Sequence, residues 1–156
     1  MEKTIVKSTL FNVAEIELVY KSKLSVSTRP RITKSVEAYE ILKSIWDFDQ
    51  IELREEAKLI LLNQRTRVLG ILNLSAGGPT STVVDPRTIF AAALKANASH
   101  IILAHNHPSG DHTPSKRDVA LSIRLREVGE IHEITLLDSI IITKEGYTSM
   151  ADAGLI

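Results

Sequence analysis

Residues 100–104 (HIILA) place four apolar side chains in a row and run directly into the polar, turn-rich segment HNHPSGDHTPS. A short run that is apolar at successive positions is typical of a strand buried on both faces, because neighbouring side chains point to opposite sides of a sheet. A sheet that is covered on both faces needs helices packed against it. This segment therefore predicts a layered fold with a central sheet.

The segments on either side of this strand extend the prediction. Residues 57–62 and 68–75 are predicted strands on either side of a polar turn, and Asp85-Pro86 is a strong helix start, with an N-cap followed by proline. A second helix is expected over residues 115–129 with Gly129 as its C-cap, followed by strands over 133–143 and 147–150. The order strand, strand, helix, strand, helix, strand, strand predicts a mixed α/β or α+β sandwich.

The first fifty residues look different from the remainder. Residues 13–20 alternate apolar and polar side chains as a half-buried strand does, residues 21–34 read as an irregular linker, and Ser35 is a candidate N-cap for a helix over residues 36–46. A chain of 156 residues suits one compact domain with a short extension. We expect an N-terminal extension over residues 1–50 and a main domain over residues 51–156.

Composition excludes several functional classes. The chain has 19 basic and 19 acidic residues, so it lacks the broad positive field of a dedicated nucleic-acid binder. It has no cysteine, which rules out disulfides, thiolate metal ligands and cysteine nucleophiles. No apolar stretch has the length of a signal-peptide core or a membrane span, so we expect a soluble, cytoplasmic protein.

A candidate metal site follows the buried strand. His105 and His107 are two residues apart at its end, where side chains at i and i+2 share a face, and Asp118 lies in the first turn of the next predicted helix. Two imidazoles and one carboxylate are a common catalytic zinc set, which leaves one coordination position to water. The pattern predicts one zinc ion per chain and metal-assisted hydrolysis.

Simpler interpretations of the same residues stay open. Two histidines in a polar loop are often only solvated, and Ser115 and Asp118 have the spacing of a helix capping box. His112 is a spare ligand, a substrate contact or a loop residue without a role. The combination of His-x-His, a glycine-containing turn and an acid at the start of a helix favours the metal site.

His105-x-His107, seven residues, Ser115, two residues and Asp118 reproduce the H-x-H-x7-S-x2-D motif, and the chain resembles the RadC-like branch of the JAMM (MPN-type) metalloprotease superfamily. The resemblance covers about residues 36–156 and includes AHNHPSG. It implies a curved sheet sandwiched by helices, a cytidine-deaminase-like architecture, and hydrolysis of an amide or isopeptide bond. Peptides or isopeptide conjugates are the implied substrates.

The resemblance also implies catalytic roles. JAMM enzymes use a glutamate on an earlier strand, and the register assigns this position to Glu55, while neighbouring Glu56 would face the opposite way. By analogy Glu55 is the general base and then the general acid, and Ser115 supports the oxyanion. Relatives often have a histidine at position 139 and an aromatic residue at position 57, where this chain has Ser139 and Ala57.

Two alternative functions remain. RadC-like proteins usually carry a helix-hairpin-helix region, and residues 1–50 do not resemble one, so the family's DNA-repair association transfers weakly. A non-catalytic or DNA-associated protein, or a metal-dependent nuclease at the same site, is the alternative to a peptidase. Residues 21–34 hold five basic residues and no acidic one, which fits a solvated linker or a nucleic-acid or partner-docking arm that Arg65, Arg67 and Arg87 could join. The sequence indicates no oligomeric state.

Overall fold

The chain folds into a mixed α/β structure with a single described sheet. The computed structural model describes residues 17–76 and 84–156. Within these ranges the helices and strands are α1 Ser35–Ile45, β1 Glu56–Leu62, β2 Val68–Ala76, α2 Pro86–Lys95, β3 His100–Asn106, α3 Lys116–Ile131, β4 Thr135–Ile142 and β5 Tyr147–Ser149. The predicted fold class is confirmed, and so is the predicted order of elements from β1 onward.

The five strands pair in the order β2-β1-β3-β4-β5. All neighbours are antiparallel except β3 and β4, which run parallel and are connected through α3. The central strand β3 is buried at every position after His100, as its apolar run predicts. Because β3 runs antiparallel to β1, the carboxyl end of β3 lies beside the start of β1.

Helices cover both faces of the sheet. On one face, α1 buries Ala38 and Leu42 completely in a cluster with Ile60, Ile102 and Ile140. On the other face, α2 and α3 contribute a second cluster, whose buried members from these helices are Ile89, Phe90, Ala93 and Leu125. Helix α1 thus shares the core with the sheet, although the division at residue 50 stays a prediction.

Two predicted helix ends were wrong. Ser35 is the first residue of α1 and not its N-cap. The Glu37 carboxylate instead accepts the backbone N–H groups of Thr33 and Lys34. Gly129 does not end α3, which continues to Ile131.

Part of the N-terminal prediction cannot be placed on the fold. Of the strand expected over residues 13–20, residues 13–16 lie outside the described ranges, and residues 17–20 have no strand structure. In the described parts of the chain, no helix combines the length and the apolarity that crossing a membrane requires.

Candidate metal centre

The carboxyl end of β3 places two imidazoles at one end of the sheet. His105 is in β3, opposite Ala57 of β1 and Ile141 of β4, and only 7% of its surface is exposed. His107 follows the strand directly, and its backbone N–H donates to the carbonyl of Ile142 at 3.3 Å. The last strand residues and this bond hold both rings on the face that α3 covers.

The two rings and Asp118 converge on one point. The Nε2 atoms of His105 and His107 are 3.0 Å apart, and the Asp118 carboxylate oxygens lie 3.3 Å and 3.4 Å from them. Two ligand atoms bound to one tetrahedral zinc at about 2.0–2.1 Å are about 3.3 Å apart. The three groups therefore have the spacing and the chemistry of a metal site, and they could hold a metal ion.

Asp118 also caps helix α3. Its Oδ2 accepts the backbone N–H of Ser115 at 2.8 Å, and its own backbone N–H donates to the Ser115 hydroxyl oxygen at 3.2 Å. Burial alone would raise the pKa of Asp118, but hydrogen bonds with His105, His107 and Ser115 outweigh burial and hold that pKa well below its usual range. The capping box and the metal-site geometry therefore coexist in one carboxylate.

A backbone carbonyl sets the orientation of the His107 ring. The Nδ1 atom lies 2.7 Å from the carbonyl oxygen of Asp111, so Nδ1 carries the proton and donates it. In the neutral ring, Nε2 then presents its lone pair to His105 and Asp118, as a metal ligand does. The Asp118 hydrogen bond raises the pKa of His107 above its usual value, and burial opposes this effect.

The two candidate glutamates have different surroundings. The carboxylate of Glu56 pairs with Arg54 at 2.8 Å and lies 3.5 Å from Nζ of Lys58. Glu55 precedes β1 directly, and its negative charge contributes to the raised pKa of His107, after the larger contributions of Asp118 and Asp111. The charge of Glu55 thus acts on His107, while Glu56 is held in ion pairs with Arg54 and Lys58.

Ser115 lies at the mouth of the site as the N-cap of α3. Its hydroxyl oxygen accepts the backbone N–H of Asp118. A hydroxyl that accepts one bond still has its proton to donate. The capping role therefore leaves Ser115 able to act as a donor toward a substrate.

Asn106 is a residue whose importance the sequence analysis did not predict. It points away from the metal side, is fully buried, and holds the segment before β1 with three hydrogen bonds. Its Oδ1 accepts the backbone N–H of Glu56 at 2.7 Å, and its Nδ2 donates to the carbonyls of Ile51 at 2.6 Å and Arg54 at 2.9 Å. A signal was present, since a polar residue that ends a buried strand must find hydrogen-bond partners.

Two other residues from the sequence analysis, His112 and Ser139, have contacts that suit a structural role. His112 contacts Thr148 of β5 through Nδ1 and Oγ1 at 2.6 Å, which anchors the loop between β3 and α3. Ser139 is fully buried in β4 beside Leu103, and its hydroxyl has no hydrogen-bond partner among the described residues. Neither residue belongs to the His105, His107 and Asp118 cluster.

Comparison with known proteins agrees with the motif. The family model for the RadC-like JAB domain matches residues 32–155. A UPF0758 protein of Syntrophotalea carbinolica is 43% identical over 103 residues, and UPF0758 proteins of two Clostridium botulinum strains, Eklund 17B and Hall, are 44% and 45% identical over the same length.

These matches cover the site but only part of the relatives. The aligned segments amount to 66% of this chain and 45% of each relative, so the chain spans less than half of the length of these proteins. The family match covers most of the chain, including β1, the β3 tip and the start of α3. The chain therefore belongs to the family of RadC-like JAB domains, within the JAMM (MPN-type) superfamily.

Proposed function

We propose that this protein is a zinc-dependent hydrolase of the metallopeptidase class, which cleaves an amide or isopeptide bond. The observation that carries the proposal is the convergence of His105, His107 and Asp118, whose ligand atoms lie within 4.8 Å of one another. Membership of the RadC-like JAB family supports the same reaction class.

The donor set suits a catalytic ion better than a structural one. Structural zinc sites are usually closed by four protein ligands that include cysteines, and this chain has no cysteine. Two imidazoles and one carboxylate would leave one position open to water. Zinc bound there would lower the pKa of that water to about 7 and polarise the carbonyl of the substrate.

The residues around the metal ligands have suitable roles in acyl transfer. Glu55 would accept the proton of the attacking water and deliver it to the leaving amine, which is the work of a general base and then a general acid. The Ser115 hydroxyl would donate to the oxyanion that develops on the carbonyl. The Asp111 carbonyl would keep His107 in the tautomer that binds metal.

Metal analysis and turnover test the proposal together. We expect about one zinc per chain in the wild-type protein and a loss of that zinc in the His107→Ala variant. The Glu55→Gln variant should keep its zinc but lose at least about 100-fold in kcat on a panel of peptide and isopeptide substrates, because only proton transfer is removed.

The matched control is Glu56→Gln, which changes the neighbouring carboxylate that pairs with Arg54 and Lys58. It should leave both zinc content and kcat close to wild type. Wild-type protein that stays metal-free after zinc is supplied would contradict the proposal. Chelator-sensitive cleavage of oligonucleotides without amide hydrolysis would contradict the substrate class.

A further inference from the structure

We call His105, His107 and Asp118 the metal centre. The opposite end of the sheet carries a concentration of positive charge. Residues 17–34 lie against the turn between β1 and β2, through an isolated bridge between Arg31 and Arg67 and a hydrogen bond from the Val68 N–H to the Pro30 carbonyl at 2.9 Å. We name the cations of this region the basic patch: Lys21, Lys23, Arg29, Arg31, Arg65 and Arg67.

The fold itself assembles the basic patch. The Arg67 guanidinium donates to the carbonyl of Arg29 at 2.8 Å and to that of Ser27 at 3.4 Å, so it fastens the basic arm to the turn. The Asn63 side chain accepts the backbone N–H groups of Arg65 and Arg67, which shapes the turn. Cations that are separate in sequence therefore share one surface.

The basic patch has no acidic partner among the described residues. Ion pairs in residues 17–76 and 84–156 involve Arg54, Lys58, Arg87, Lys144 and the two site histidines. Arg29 Nε is buried and has no hydrogen-bond partner within the same ranges. Lys21, Lys23, Arg31 and Arg65 are exposed. The patch is therefore positioned to meet an external anion.

The basic patch is a local excess of positive charge. Residues 17–34 hold five basic residues and one acidic residue, Glu17, although the whole chain has 19 of each sign. A neutral total charge thus conceals a positive surface, and local fields of this kind steer polyanions. Two of its exposed cations, Arg31 and Arg65, are arginines, whose planar guanidinium groups can pair with phosphate in a bidentate manner.

A pocket beside the basic patch indicates the kind of polyanion. It has a volume of about 450 Å³, and its lining includes Arg31 and Lys34 together with apolar Ile32, Ile102 and Leu137. This volume is within the range of about 300–1,000 Å³ that small-molecule sites have. Apolar walls next to cations fit a flat, unstacked base that is attached to a phosphate backbone.

The acidic residues of the pocket fit a base better than a phosphate. Asp138 and Asp152 also line it. The buried Asp138 carboxylate already accepts hydrogen bonds from the Ser149 hydroxyl and from the backbone N–H groups of Ser139 and Ala151. Asp152 is exposed and accepts one from the Ser35 hydroxyl, so it has room for a further donor. A carboxylate repels phosphate but accepts hydrogen bonds from the amino groups on base edges. An acidic peptide would gain nothing from this pocket, whereas a nucleic acid would use both parts of the surface.

We propose that the basic patch and this pocket bind a single strand of nucleic acid, with phosphates on the patch and one unstacked base in the pocket. The turn that carries Arg65 and Arg67 is one β1 length, about 20 Å, from the metal centre, and the pocket lies on the α1 face of the sheet, opposite the face of His105. The strand is therefore a docking partner at a separate site and is not the substrate of the metal centre. The proposal does not depend on hydrolytic activity.

Fluorescence anisotropy with a labelled 12-nucleotide single-stranded DNA of mixed sequence tests the proposal on the full chain. We expect binding whose log K falls with log salt concentration, with a slope of up to about −3 for the four exposed cations on a single strand. The Lys23→Glu/Arg65→Glu variant should bind at least about tenfold more weakly and show a shallower slope. Its circular dichroism spectrum and zinc content should match those of wild type.

The matched control reverses two exposed lysines elsewhere, Lys43→Glu/Lys144→Glu, with the same change in net charge. Lys43 is in the last turn of α1, and Lys144 pairs with Glu52 close to the metal end. We expect the control to bind within about twofold of wild type. An equal loss in both double variants would overturn the proposal, because total charge and not the patch would then decide binding.

Further binding measurements test which ligand the surface recognises. An abasic strand of the same length should bind more weakly, and equal binding would overturn the base site in the pocket. Polyglutamate should not compete, and no salt-dependent binding of any single strand would overturn the proposal as a whole. The His107→Ala variant should bind the strand normally, so a failure of the zinc proposal and a failure of this one are distinguishable.

Discussion

Asp118 shows how one side chain can satisfy a structural and a functional requirement together. One of its oxygens caps helix α3 through the backbone N–H of Ser115, and both oxygens lie within 3.4 Å of an imidazole nitrogen. The cap restricts the carboxylate to one orientation before a metal binds. Less conformational entropy is then lost when a ligand atom is immobilised, which favours binding.

Asn106 gives a prediction at the scale of a single residue. Replacing it with alanine would leave the buried carbonyl of Ile51 and the part-buried backbone groups of Glu56 and Arg54 without their partner. We expect Asn106→Ala to lower the free energy of unfolding by about 2–4 kcal/mol, since each unsatisfied buried group costs about 1–3 kcal/mol. Urea denaturation measures this change.

A matched control for Asn106 is Gln64→Ala. Gln64 is an exposed amide residue in the turn between β1 and β2. Its replacement should change the free energy of unfolding by less than about 0.5 kcal/mol. Zinc content should survive in Asn106→Ala because the side chain points away from the ligands, while kcat should fall because the segment that carries Glu55 loosens. Equal unfolding free energies for the two variants would contradict the role of Asn106 in holding the segment before β1.

At the scale of elements, the candidate metal centre is formed where β3 ends and α3 begins. β3 ends at Asn106 and delivers both histidines, and α3 begins at Lys116 and delivers Asp118 from its first turn. The loop between them turns through Gly110, whose φ of 82° is in the left-handed region that favours glycine. The site is thus placed by the ends of rigid elements.

The contact between α3 and the entry to β4 also gives a prediction. A Cβ added at Gly129 would lie 2.2 Å from the carbonyl oxygen of Ile134. This oxygen belongs to the backbone, so it cannot move aside cheaply. Although alanine favours a helix over glycine by about 1 kcal/mol, we expect Gly129→Ala to destabilise the protein by about 1–3 kcal/mol through overpacking.

Gly70→Ala is the control for Gly129→Ala. Gly70 is in β2, and a Cβ built there would meet no atom within 4 Å. Thermal unfolding should therefore show a Tm near or above that of wild type for Gly70→Ala and a lower Tm for Gly129→Ala. A Tm increase in both variants would show that helix propensity outweighs the steric clash at Gly129.

For the whole molecule, the metal centre and the basic patch are at opposite ends of the central strands. β1 begins beside the histidines and ends at the turn that carries Arg65 and Arg67. A substitution at one end therefore changes few contacts at the other. Effects of well-separated substitutions usually add, so variants of the two sites should behave independently.

The pH dependence of folding is a property of the whole molecule. The pKa of His107 is raised in the folded, metal-free protein above the ordinary value of 6.5, chiefly by the Asp118 hydrogen bond. This interaction stabilises the fold fully below about pH 6.5 and is lost as the pH rises through the folded pKa. We expect metal-free wild type to lose stability relative to His107→Gln between about pH 6 and pH 8.

Zinc should reverse the sign of this dependence. A metal displaces the proton from the ring, so stabilisation by added zinc should increase with pH over the same interval. Urea denaturation at several pH values, with zinc and with chelator, measures both trends. A stability difference between wild type and His107→Gln that does not vary with pH in chelator would contradict the His107–Asp118 interaction.

Much of this protein could be predicted from its sequence because the decisive signals are local. The apolar run of β3, the Asp85-Pro86 start of α2 and the order of elements depend on residues close together in the chain. The ligand spacing is local as well, since His105, His107 and Asp118 lie within fourteen positions. Local hydrogen bonding and periodicity are enough to predict such features.

Long-range contacts decided the rest. The hydrogen bonds by which Asn106 holds the segment before β1, and the contact of residues 17–34 with the β1–β2 turn, depend on groups brought together from distant segments. The sequence on its own determined which side chains could bind a metal. Only the tertiary structure decided that the charge of Glu55 raises the pKa of His107 while Glu56 pairs with Arg54, because the side of a strand that a residue faces depends on how the sheet packs.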